Sequence, residues 1–204
     1  MNIKNSPILL KILAVMLVLL FVLSVAGLNY GNHLAGTPPG EVVFDTILLA
    51  VPLVVLYSSI YLLAAAGQQR RSQGQISRRL SKFIYFMPRI AGIVVALFVG
   101  MFALDVFSEG NSPWEMLGAF LVHASPAIVM AIGVALAWRR PQIGFVVFLV
   151  AAIFFLGFGI RRPENLIGIV LGISGPMAVI AMLFWADWKW QKELATSSQG
   201  WQNP

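Results

Sequence analysis

The feature that most constrains this chain is a succession of six apolar stretches, each close to the length that crosses a bilayer. A helix needs about 20 apolar residues to span a hydrocarbon core of roughly 30 Å. The stretches run from about Ile8 to Leu28, Val43 to Ala66, Ile84 to Phe107, Trp114 to Trp138, Ile143 to Ile160 and Leu166 to Trp185. Charged residues make up only 11% of the 204 and hydrophobic ones 59%. A soluble domain carries roughly 25% charged residues. There is too little polar side chain here to cover a water-facing surface, so lipid must solvate most of the chain. The expected fold is all-α, a polytopic bundle of six transmembrane helices.

Loop charges set the expected orientation, because cytoplasmic loops collect Lys and Arg. With the N-terminus inside, 12 of the 14 basic residues fall on the cytoplasmic side, leaving Arg161 and Arg162 outside. Six of the eight acids (Glu41, Asp45, Asp105, Glu109, Glu115 and Glu164) then lie outside. Both termini are therefore expected in the cytoplasm. The first stretch has the basic start and the Ser24-Val25-Ala26 pattern of a cleavable signal. Because the numbering retains it from Met1, an uncleaved anchor is expected.

Net charge is +6, but the basic residues sit at helix ends and loops and no nucleic-acid motif is present, so nucleic acid is not an expected partner. The absence of cysteine excludes disulfides, thiolate zinc sites and iron–sulfur clusters. With two histidines, one of them at membrane depth, the chain cannot build a bis-His haem site alone. No nucleophile elbow, zincin, phosphate loop or deaminase pattern occurs.

The chain divides into a two-helix N-terminal hairpin (1–66), a basic cytoplasmic loop (67–83), a four-helix core (84–188) and a cytoplasmic tail expected to be disordered (189–204). The loop carries Arg70, Arg71, Arg78, Arg79 and Lys82 with no acid. Such a cluster suits the headgroups of anionic lipids or a partner surface. Small residues at four-residue spacing let helix backbones approach each other. Gly92, Ala96 and Gly100 form one such row, Gly168 and Gly172 another, and Ala119, Ala127, Ala131 and Ala135 a third that contains His123. Pro52, Pro126 and Pro176 are expected to kink their helices. The tryptophans at 114, 138, 185, 188 and 190 mark the depth of the interfaces.

His123 is the residue of greatest chemical interest. It lies nine residues beyond Trp114, roughly 13 to 14 Å along the helix and near the midplane. An ionisable residue there is a functional candidate by default. Its place in the alanine row predicts that it faces a neighbouring helix. Three roles are open: an interhelical hydrogen bond, axial ligation of a haem or chlorophyll-type pigment, or a proton-relay or solute contact with Asp105, Ser125 and Tyr57. Asp105, Glu109 and Glu115 can also be ordinary exterior acids.

The order Arg89-Ile90, Asp105-Val106-Phe107, Trp114-Glu115, Phe120-Leu121-Val122-His123, Pro126, Trp138, Ile143-Gly144 and Leu183-Phe184-Trp185 resembles a family of small, uncharacterised prokaryotic membrane proteins built on four helices. The resemblance covers about Arg89 to Trp185. The chain departs from it in its two extra helices, its basic loop, Arg139-Arg140-Pro141 and Ala124-Ser125. What the resemblance implies is a multi-pass protein of a prokaryotic cytoplasmic membrane, with no assigned activity. Together these readings favour a non-catalytic membrane protein, an accessory or structural subunit associated with other membrane subunits. The alternative is a small transporter or proton-conducting or ion-conducting protein that uses His123. An enzyme is not expected.

Overall fold

The computed structural model describes residues 6–34, 38–108 and 112–199. It is all-α, with no strand among the described residues. Helix α1 spans Ser6–Leu34, α2 Pro39–Gln73, α3 Arg78–Met101, α4 Pro113–Ala137 and α5 Pro141–Ile160. The last span is compound: a short α6 (Leu166–Ile169), a π-helical turn (Val170–Ser174) and α7 (Gly175–Gln199). Six of these helical segments are long and apolar enough to cross a membrane, among the described residues, which suggests a multi-pass membrane protein.

Burial decides which helices form the centre. Val95 of α3, Met130 and Val134 of α4, Phe148 of α5, and Met177, Ile180 and Phe184 of α7 are all at 2% exposure or less and belong to one apolar cluster. Glycines set how closely these helices pack. A methyl carbon placed on Gly144 would sit 2.8 Å from the Phe184 ring, and one on Gly133 would sit 2.7 Å from Val147. Gly92, the first of the expected row on α3, is equally tight against Val134 and Phe148, so that row is a packing seam, and it faces α4 and α5. The alanine row of α4 does not behave this way. Ala131 and Ala135 are exposed, and the buried stripe is Met130, Gly133, Val134 and Ala137.

Two stretches expected to be irregular are helical. The basic loop shrinks to residues 74–77, because α2 continues through Gln73 and α3 begins at Arg78. Gln and Arg are good helix formers, so polarity alone does not end a helix. Gly74 ends it by adopting φ 69°, and its N–H donates to the Arg70 carbonyl. Left-handed backbone of this kind costs a glycine nothing. The turn is pinned by the Ser77 N–H donating to Gln69 Oε1 at 3.1 Å. It is also plugged by Ile76, buried with Ala66, Ile84, Ala186 and Trp190. The tail expected from 189 is likewise helix as far as Gln199, and residues 200–204 lie outside the described residues. Trp190 is packed in that cluster, under the Arg70 guanidinium at 5.3 Å.

The expected disturbance at Pro176 is the π-helical turn just before it. The Gly175 N–H donates to the Val170 carbonyl, one residue further back than in an α-helix. Any side chain at 175 would collide with that same carbonyl oxygen. A proline cannot supply the usual donor, and a wider turn is one way to accommodate it.

Candidate functional site

His123 does not face a neighbouring helix. It is exposed, and its Nδ1 lies 2.9 Å from the carbonyl of Ala119 on its own helix. A carbonyl only accepts, so Nδ1 carries the proton and Nε2 is left for a partner outside the chain. The cause lies in α4: no described residue of the helix before Ala124 is buried, so the half bearing His123 is largely uncovered. A haem or pigment ligated by Nε2 would therefore sit on the outside of the bundle.

The residues expected to work with His123 are held elsewhere. Ser125 donates to the Val122 carbonyl at 2.7 Å, satisfying the acceptor that Pro126 leaves without its helical partner. The Tyr57 hydroxyl pairs with Ser24 of α1 at 2.7 Å. Asp105 is exposed within a 3-10 turn, Phe102–Ser108. Glu115 accepts from both the backbone N–H (3.1 Å) and the hydroxyl (2.8 Å) of Ser112, which is a cap for the start of α4. Glu109 lies outside the described residues. The described residues hold no group of three or more His, Asp or Glu able to bind a metal. The cavities along α1–α2, beside α6 and between α3 and α7 are lined by residues other than His123. Of the five basic residues singled out, Arg71, Arg78, Arg79 and Lys82 are exposed, while Arg70 is half-buried on Trp190.

The polar centre of the molecule is a pair that spacing and periodicity did not reveal. Arg89 of α3 is 1% exposed, and its Nη1 lies 2.9 Å from Oδ2 of Asp187 on α7, itself 2% exposed. Nη2 donates to the Ala137 carbonyl at 3.1 Å, and Nη1 also donates to the carbonyl of Tyr85. Ala137 ends α4, where carbonyls lack helical partners and carry the negative end of the helix dipole. One guanidinium thus ties together α3, α4 and α7. Its flat face lies 3.8 Å from the Tyr85 ring centroid, with the Trp138 and Phe184 rings at 5.7 and 5.9 Å. Arg suits this position because its fork reaches several acceptors while its plane stacks on aromatics. A signal was available: Arg89 interrupts an apolar helix well inside its ends, and Asp187 is one of only two acids on the side where most basic residues gather.

The pair also borders a cavity of about 290 Å³. Lys82, Tyr85, Arg89, Trp138, Pro141 and Asp187 line it, at the end of the bundle that carries the α2–α3 and α4–α5 turns. Two buried polar atoms at this end have no partner among the described residues, Nε of Arg89 and Nε1 of Trp190.

Fold and site together define an all-α bundle with six helical segments long and apolar enough to cross a membrane, organised round a buried ion pair. Residues 77–196 match a family model described as a domain of unknown function, DUF7670. The match covers more than half of the chain, so the protein belongs to that family. Its first residue lies at the α2–α3 turn, and it takes in α3 to α7 with both members of the ion pair. Searches of curated proteins and of solved structures found no match.

Proposed function

We propose that the protein is a non-catalytic accessory or structural subunit of a larger membrane assembly, and that the outer half of α4 is where another helix joins it. The observation that supports this is the outward-facing His123. Ionisable residues in membrane helices almost always face a bundle interior or a water-filled cavity. His123 is exposed, and its Nε2 remains an acceptor for an external donor. Along the same four-residue ridge, Ala131 and Ala135 are exposed and small enough for a second backbone to approach. The reading includes the orientation that the loop charges favour, with both termini in the cytoplasm. It includes too, on the strength of the resemblance, the cytoplasmic membrane of a prokaryote.

The chain contains no cysteine, so single introduced cysteines report cleanly. A cysteine at Ala131 should cross-link to a second polypeptide in the native membrane, whereas one at Val150, exposed on α5, should not. The cross-link at 131 should disappear in the His123→Leu background. Equal cross-linking from both positions, or from neither, would remove the proposal.

A further inference from the structure

We propose that the cavity beside the Arg89–Asp187 pair binds the phosphate of an anionic phospholipid headgroup. Three cations, Lys82, Arg89 and Arg139, line it against the single carboxylate of Asp187, so it retains a net positive charge once the buried pair is neutralised. One further donor and a helix dipole favour an anion. Arg89 is 1% exposed and lines the cavity, yet its Nε–H has no partner among the described residues. Pro141, the first residue of α5, also borders the space, and the start of a 20-residue helix brings the positive end of its dipole.

The walls favour a lipid over a soluble phosphate. Phe86 and Trp138 border the cavity and are 46% and 48% exposed, so apolar surface continues from it to the outside of the bundle. A glycerol backbone and acyl chains could follow that surface while Lys82 and Arg139, both exposed at the mouth, hold the phosphate. Basic pockets between membrane helices are known to take anionic headgroups in this way. The site is independent of His123, which lies on the far half of α4, so this inference and the subunit reading stand or fall separately.

Native mass spectrometry of the full-length protein in mild detergent, with phosphatidylglycerol or phosphatidylcholine added, tests the inference. One phosphatidylglycerol should be retained in preference by about tenfold or more, the scale of a charge-assisted hydrogen bond. Lys82→Gln with Arg139→Gln should abolish the preference. Arg161→Gln with Arg162→Gln, at the opposite end, should leave it intact. Equal retention of the two lipids, or equal loss in both double variants, would overturn the proposal. So would inorganic phosphate binding that depends on Lys82 and Arg139 without any lipid preference, because the ligand would then be soluble.

Discussion

Arg89 and His123 are both ionisable side chains within apolar helices, and the structure treats them in opposite ways. Arg89 is buried, shares its donors among three helices and stacks on an aromatic ring. His123 is exposed and bonded to its own helix. The difference comes from what the neighbouring helices supply. Around Arg89, α7 brings a carboxylate and α4 an unpaired terminal carbonyl. His123 itself is exposed, because no residue of α4 before Ala124 is buried and the 3-10 segment covers the helix at Phe120 instead. A polar residue in a membrane helix therefore marks a structural tie or an external contact according to the packing at its own level, and the helix sequence alone does not distinguish them.

The largest expected effect comes from breaking the tie on one side. Asp187→Ala leaves a buried guanidinium without its counter-charge and should cost about 3–5 kcal/mol, seen as loss of the folded protein or a much lower unfolding midpoint in detergent. Next comes packing at the same centre. Gly144→Leu forces a side chain into the Phe184 ring and should cost about 1–3 kcal/mol, read as a lower midpoint with unchanged helix content. The smallest effect on folding belongs to His123→Ala, which should move the midpoint by less than about 0.5 kcal/mol because the side chain is exposed. A large loss of stability in His123→Ala would erase the contrast between the two residues.

Much of the architecture was legible because it follows from span length. Six helices follow from six apolar runs; glycine spacing marked a true close approach at Gly92 but not at Gly168, where a methyl carbon would meet nothing within 4 Å. The basic segment and the tail differ from expectation because polar composition does not end a helix. Gln69 to Gln73 and Gln191 to Gln199 are in fact helical, and only Gly74, with its left-handed backbone, breaks the first. The exposure of His123 is not legible in its alanine row, because α4 carries small residues on more than one side and such a row does not say which side is covered. The ion pair was hidden by sequence distance: its members lie 98 residues apart, and their meeting depends on how α3 and α7 pack.

The central claim is that Arg89 and Asp187 act as one unit holding the bundle. A double-mutant cycle with Arg89→Met and Asp187→Leu, read as unfolding free energy of the full-length protein in detergent, tests it most directly. Each single variant should be strongly destabilised. The pair together should recover much of the loss, giving a coupling of about 2–3 kcal/mol. Additive losses, with no recovery in the double variant, would contradict the account.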